Sequence, residues 1–320
     1  MNRGELLSTL NSTKSSPARP ILTLVNGDNT WLISIPRPAG TQGKAFYHIL
    51  QDPWLGGSAI AGFAWVLRLD HKAKPALSSQ QAIEDWIRDV ETGVGGQKKD
   101  EEQWLDAVLI THFNLDHCHE GTLRAFEPST KVFAVQDTVA TITGWKHFDN
   151  VTTVPDFARG EQWPTTPDMP EWLRVFRLQD ESGKYPNLHH GMVISTAASG
   201  KEEIVLYSPH GVEESIVGAA REANPDASML AMLHPLHSCG LGAKAKGVDN
   251  GLKLVRQNEP KYWVNTHDDK LEYSGLLSYF MDHGRATLEQ GLEKEAKEKG
   301  IEQKKPNYVV VENGASCILT

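Results

Sequence analysis

The feature that most constrains this chain is a turn crowded with side chains that bind metal ions. Residues 107–111 form an apolar run of strand length, and residues 112–121 then contain three histidines, an aspartate and a glutamate. A rigid strand end holds such groups at fixed separations, and zinc binds imidazole nitrogen and carboxylate oxygen. The pattern predicts a metal site after this strand. The alternative is a chance group of solvated surface histidines.

Three later runs of strand type also lead into histidines. They are residues 203–207, 228–233 and 262–265, followed by His210, His234 and His267. Strand ends can bring side chains that are distant in sequence to one edge of a sheet. We therefore predict that the turns near residues 116, 210 and 267 converge on one cation. For His234 a structural or surface role is favoured.

The composition is that of an ordinary globular protein, and its charge excludes some partners. The chain has 320 residues with 32 Lys and Arg against 41 Asp and Glu, which gives a formal charge of −9. A broad attraction to nucleic acid or to anionic membranes is therefore not expected. The apolar runs are strand-sized, well short of the ~20 residues that a membrane helix needs. A small-molecule substrate is the expected partner.

The ends of the chain and its cysteines predict domain organisation and compartment. Residues 1–20 mix Ser, Thr, Asn and Arg without the apolar core of a signal peptide, so we predict a mobile leader. Residues 21–320 are then a single domain. The three cysteines are far apart and form no Cys-x-x-Cys pair. This favours a reducing compartment and a cytoplasmic protein.

The histidine turn resembles a known signature. His112, Asp116 and His117 match the His-x-His-x-Asp-His motif of the metallo-β-lactamase superfamily, and Asn114 stands where its second histidine would be.

Two further segments extend the resemblance to nearly all of residues 21–320. Residues 52–56, Asp-Pro-Trp-Leu-Gly, are similar to a segment of the branch that contains ascorbate-phosphate lactonase-like proteins and the N-acyl-phosphatidylethanolamine phospholipase. Residues 261–268 resemble the last strand of that branch and its terminal metal-binding histidine.

The resemblance implies an α/β fold, a four-layer αββα sandwich with one or two metal ions at the strand ends. It implies that His112 binds the first ion and that Asp116, His117 and His267 bind the second. A further ligand of the first ion would be His189 or His190. Neighbours on an extended segment point opposite ways, so one of the pair can face the metal.

Two departures from the family pattern favour a single ion. Asn114 offers a neutral carboxamide, a poor zinc ligand beside an imidazole, and His210 falls where the family places a bridging aspartate. The predicted site is therefore mononuclear and consists of Asp116, His117, His210 and His267, with His112 or the 189–190 pair nearby. Zinc is the expected divalent ion, although iron or manganese suits the same donors.

The expected function is a metal-dependent hydrolase of a small organic ester, lactone, thioester or phosphoester, with Asp116 and His117 as its catalytic residues. Two alternatives remain open. Two histidines and a carboxylate also form the ligand set of iron-dependent oxygenases, so a non-hydrolytic oxygenase or lyase of secondary metabolism fits the same residues. The altered ligands also fit a relative that has lost catalysis and binds a ligand.

Overall fold

Two large sheets form the centre of the computed structural model, which describes residues 1–13, 18–99, 102–268 and 270–320. The first sheet contains, in spatial order, strands Ser316–Ile318 (β18), Ile21–Leu24 (β1), Trp31–Pro36 (β2), Phe46–Gln51 (β3), Ala107–Ile110 (β6), Val132–Val135 (β7) and Val151–Val154 (β8). The second contains Tyr308–Val309 (β17), Tyr262–Val264 (β14), Ser228–Leu233 (β12), Glu203–Tyr207 (β11), His190–Thr196 (β10) and Leu173–Gln179 (β9).

Smaller sheets and helices surround this centre. One small sheet pairs Ala59–Ala61 (β4), Leu67–His71 (β5) and Leu271–Ser274 (β15), and another pairs Ser238–Gly240 (β13) with Asp282–Gly284 (β16). The α-helices are Arg3–Ser12 (α1), Gln80–Val94 (α2), Glu120–Leu123 (α3), Gln136–Gly144 (α4), Glu214–Ala223 (α5), Gly247–Asn258 (α6) and Leu288–Lys299 (α7), with a 3₁₀ helix at Leu276–Phe280. Within the described residues, no helix combines the length and the apolar character needed to cross a membrane.

The burial pattern of β6 shows how the layers are built. Ala107 and Leu109 lie in the core between the two large sheets, whereas Val108 and Ile110 lie in a second core on the outer side. Successive side chains of a strand point to opposite faces, so a strand covered on both faces has a continuous apolar run. Helices α1 and α2 cover the first sheet, and α5, α6 and α7 cover the second. The predicted four-layer αββα sandwich is confirmed.

The N-terminal segment differs from the mobile leader that its composition predicts. Residues 3–12 form α1, which begins at a capping box of Asn2 and Glu5 and packs against α2. Leu6 and Leu10 are buried in the same core as the apolar face of α2. Leucines four residues apart form one stripe on a helix. This spacing, which a composition argument overlooks, is the reason for the difference.

Replacing Leu6 with alanine tests the packing of α1. The side chain is completely buried, so Leu6→Ala is expected to lower the free energy of unfolding by about 3 kcal/mol, measured by urea denaturation. Ser8→Ala on the exposed face of the same helix is the control and is expected to leave stability unchanged or slightly higher. Equal stability of both variants would show that α1 does not contribute to the core.

Parallel pairing brings several strand ends to one edge of the sandwich. Strand β3 runs parallel to β6 in the first sheet, and β11, β12 and β14 run parallel to one another in the second. The turns that follow parallel strands meet at the same edge. These turns contain the histidines of the sequence analysis.

Candidate metal centre

Four of the predicted ligands converge at this edge: Asp116, His117, His210 and His267. The Nε2 atoms of His117 and His210 are 3.1 Å apart. The Oδ2 atom of Asp116 is 3.5 Å from Nε2 of His267 and 3.8 Å from Nε2 of His117. Ligand atoms around a tetrahedral zinc lie roughly 3.3–3.5 Å apart, given bonds of about 2.0–2.2 Å. The observed separations therefore suit one small cation.

Buried carboxylates fix the orientation of two of these rings. His117 donates from Nδ1 to Oδ2 of Asp52 over 2.8 Å, and His267 donates from Nδ1 to Oδ2 of Asp28 over 2.8 Å. A neutral imidazole has one N–H, so Nε2 of each ring keeps its lone pair for a metal. Carboxylate partners of this kind are typical of metal-bound histidines.

The contact between His117 and His210 tests whether these residues fit a metal. With Nδ1 of His117 donating to Asp52, its Nε2 lone pair points at Nε2 of His210 at 3.1 Å. A neutral His210 with its proton on Nε2 can donate to this lone pair, and a cation between the rings would take the place of that proton. Burial, together with His267 and His117, holds the pKa of His210 well below its usual value, which disfavours a charged ring. Three nitrogen donors and one carboxylate oxygen therefore fit a divalent cation.

His267 has the opposite electrostatic setting. Burial lowers its pKa, but the charge and hydrogen bond of Asp28 and the charge of Asp116 outweigh this effect and raise the pKa to about 9. The two carboxylates thus favour positive charge at this position. A bound cation would replace the proton on His267, so metal binding would release it.

His112 lies beside the four convergent residues. Nδ1 of His112 is 2.8 Å from the hydroxyl oxygen of Thr111, and its Nε2 is 3.2 Å from the carbonyl oxygen of Leu188, to which it can donate. The His112 ring centroid is 4.9 Å from that of His210. His112 also forms a second potential ligand group with Asp52 and His117. The prediction that His112 binds a first ion remains a prediction.

The 189–190 pair does not join these ligand atoms. Nε2 of His189 is 2.7 Å from the carbonyl oxygen of Lys244, and Nε2 of His190 is 2.8 Å from that of Thr111. The His190 ring stacks beneath that of His112 with centroids 3.9 Å apart. His190 is the first residue of β10, and its side chain is completely buried. The predicted ligand from this pair therefore has no geometric support.

Burial of His190 predicts a loss of stability in acid. Burial lowers the pKa of His190 to about 4, whereas an unfolded chain has the usual value of about 6.5. Above pH 6.5 both states are neutral, and stability from this group is complete. Below it the unfolded state binds a proton first, so about 3 kcal/mol is lost as the pH falls toward 4.

Urea denaturation of chelator-treated protein at pH 7 and pH 4.5 checks this expectation. His190→Gln, which retains a donor for the Thr111 carbonyl, is expected to lose less stability between the two pH values than the parent protein. Identical losses in both proteins would show that His190 does not titrate in this way.

The sequence analysis missed the two carboxylates that orient the rings. Asp52 is the first residue of the Asp-Pro-Trp-Leu segment, and that segment could have indicated a role at the site. Asp28 has no histidine, aspartate or glutamate next to it in the sequence that would indicate such a role. Asn26 accepts hydrogen bonds from the backbone N–H groups of residues 28, 29 and 30 and so holds the Asp28 loop at the site. Asp52 and His267 both have positive φ angles, 46° and 54°. Non-glycine residues in that region concentrate at functional sites.

A cavity of about 770 Å³ opens above the four residues, with Asp116, His210 and His267 in its lining. Asn114 also lines it, and the buried Oδ1 of Asn114 has no hydrogen-bond partner among the described residues. His234 lies elsewhere, buried and bonded to Asn250 at 3.0 Å, in the structural role favoured above.

Comparison with known proteins gives a fold and no closer relationship. No protein-family model matches the chain, and no curated protein matches it in sequence. A possible metal-dependent hydrolase from Veillonella parvula is similar in structure, with a TM-score of 0.57, 16% identity, and coverage of 94% of this chain and 100% of that one. An isothiocyanate hydrolase from Delia radicum gut bacteria gives a TM-score of 0.52 and 15% identity, over 93% of this chain and 98% of that one.

A variant of the CmlA β-hydroxylase is also similar, with a TM-score of 0.51 and 14% identity, over 94% of this chain and 54% of that one. The layers, the strand order and these likenesses show that the chain has the metallo-β-lactamase fold.

Proposed function

We propose that the chain is a metal-dependent hydrolase of a small organic ester, lactone, thioester or phosphoester, with one divalent ion at Asp116, His117, His210 and His267. The observation that carries the proposal is the convergence of the imidazoles of His117, His210 and His267, with Oδ2 of Asp116 3.5 Å from Nε2 of His267, at the base of an open cavity. Zinc suits this donor set best.

A divalent ion at this position supplies Lewis acidity and lowers the pKa of water toward about 7. The protein side chains supply orientation. Asp52 and Asp28 fix the rings of His117 and His267, so ligand geometry does not depend on the substrate. Asp116 has a second carboxylate oxygen that can accept a proton from the attacking water. In the reaction, water adds its oxygen to the carbonyl or phosphoryl centre, the bond to the leaving group breaks, and a proton passes to that group.

The experiment combines metal analysis with hydrolysis assays. We expect about one metal ion per chain in the purified protein, measured by elemental analysis. Hydrolysis of p-nitrophenyl acetate, γ-butyrolactone or bis(p-nitrophenyl) phosphate should fall to background after chelation and return with Zn²⁺. Full activity in protein shown to be free of metal would overturn the proposal.

A second function is favoured by the donor set itself. Two of the histidines together with Asp116 would leave coordination positions of a bound iron ion open, as in iron-dependent oxygenases. The β-hydroxylase named above shares the fold. Oxygen consumption by Fe²⁺-loaded protein with a reductant, in the absence of hydrolytic activity on the panel, would favour this alternative.

A further inference from the structure

The wall of the cavity includes a small sheet with two unlike faces. Ala61 pairs with Leu67, and Leu69 pairs with Tyr273, so these four side chains share the face that lines the cavity. The opposite face presents residues such as Arg68 and Asp70, which form an ion pair at 2.7 Å. The apolar face of this sheet is therefore directed toward the space above the metal centre.

The rest of the lining is also largely apolar. Lining residues from other parts of the chain include Pro186, Leu188 and Ala245. Among the described lining residues outside the metal centre, Lys184 alone carries a formal charge. A phosphorylated or otherwise polyanionic substrate would require several cations or N–H donors at this wall. The lining instead favours a substrate with a substantial apolar part.

Exposed aromatic side chains lie on the turn that joins two of these lining residues. The turn between Ala61 and Leu67 presents Phe63 and Trp65, each 67% exposed, with stacked rings whose centroids are 6.2 Å apart. The backbone N–H of Leu276 donates to the carbonyl of Trp65 at 2.8 Å and attaches the 3₁₀ helix to this turn.

That helix adds two further exposed aromatic rings. Tyr279 is 86% exposed and Phe280 is 67% exposed, and Met281, which follows them, lines the cavity. Neighbouring exposed apolar groups of this size mark a binding surface more often than chance exposure. We call Phe63, Trp65, Tyr279 and Phe280 the aromatic rim.

We propose that the substrate is an ester or lactone with a long unbranched acyl chain, which lies along Leu67 and Leu69 and extends over the aromatic rim. This inference rests on the proposed hydrolase function and adds its substrate class. Hydrolysis adds water across the acyl–oxygen bond and gives a carboxylic acid and an alcohol. A chain of this kind would cover apolar surface that otherwise faces water, so affinity should rise with each methylene.

The test is a chain-length series of p-nitrophenyl esters from acetate to decanoate with Zn²⁺-loaded protein. We expect kcat/KM, corrected for the uncatalysed rate, to rise about fourfold per methylene until the cavity is filled. Trp65→Ser is expected to reduce the ratio of decanoate to acetate hydrolysis by at least about tenfold. Ile301→Ser, another exposed apolar position away from the cavity lining, is the control and should leave the ratio unchanged. Hydrolysis that does not depend on chain length would overturn the inference.

Binding of products separates this inference from the proposed function. Decanoate and butanoate have the same carboxylate group. The difference between their affinities for the purified protein, measured by calorimetry, therefore gives the contribution of the acyl chain to binding. Decanoate is expected to bind at least about 100-fold more tightly. That result without hydrolysis of any ester would support the chain site and contradict the hydrolase proposal. Equal affinities would overturn the chain site whether or not esters are hydrolysed.

Discussion

His267→Asn protein is expected to bind Zn²⁺ at least about 100-fold more weakly than the parent protein and to lose ester hydrolysis. The substitution removes one of the imidazole ligands while leaving Asp116, His117 and His210 in place. Asparagine is preferred to alanine because residue 267 has a φ of 54°, which asparagine adopts at low cost. A competition titration with a zinc-sensitive dye measures the affinity.

The matched control is His147→Asn. Nε2 of His147 donates to the carbonyl oxygen of Phe126 at 2.8 Å, and His147 lies outside the potential ligand groups of the described chain. Its zinc affinity should equal that of the parent protein. If both variants bind zinc as the parent does, residue 267 is not a ligand and the mononuclear site is wrong.

Asp52→Asn is expected to lower both stability and zinc affinity, because Asp52 bonds to the end of β6 and to a predicted metal ligand. Its buried carboxylate accepts hydrogen bonds from the Thr111 backbone N–H at 2.7 Å, the Thr111 hydroxyl at 2.5 Å and Nδ1 of His117 at 2.8 Å. An amide of the same size turns one acceptor into a donor that faces these donors. We expect the free energy of unfolding to fall by about 3 kcal/mol. Zinc affinity should fall by about 10- to 100-fold because His117 loses its orientation.

Urea denaturation in chelator and zinc titration of the same sample measure both effects. Asp70→Asn is the control, since Asp70 pairs with Arg68 near the surface and is expected to change stability by less than about 1 kcal/mol. Wild-type stability and zinc affinity in Asp52→Asn would contradict the role assigned to this carboxylate.

The parts of the fold that follow from local patterns were predictable from the sequence. The sequence of residues 247–258 predicts a helix, which is observed as α6, and the apolar run at residues 107–111 forms β6. Both follow from a pattern within a single segment, which is helical periodicity in the first and a continuous apolar run in the second. The apolar pattern at residues 274–280 also predicts a helix, and the structure has a 3₁₀ helix over Leu276–Phe280 after a strand that ends at Ser274. Short apolar segments determine their structure less strongly than long periodic ones.

Convergence of the turns near residues 116, 210 and 267 was predictable because strand ends and the family resemblance both indicate it. The role of Asp28 was not, because its partner His267 lies 239 residues away and the Asp28 loop has no motif. Nor could the sequence decide between His189 and His190. The Nε2 atoms of both histidines lie within hydrogen-bonding distance of backbone carbonyl oxygens, and the positions of those carbonyls depend on the packing of the two sheets.

Anomalous diffraction from zinc-loaded crystals tests the central claim most directly. The account predicts one strong peak at the zinc edge, about 2.0–2.2 Å from Nε2 of His117, His210 and His267 and from a carboxylate oxygen of Asp116. A map without a peak among these four residues, or with its strongest peak bound by His112 and His190 instead, would contradict it.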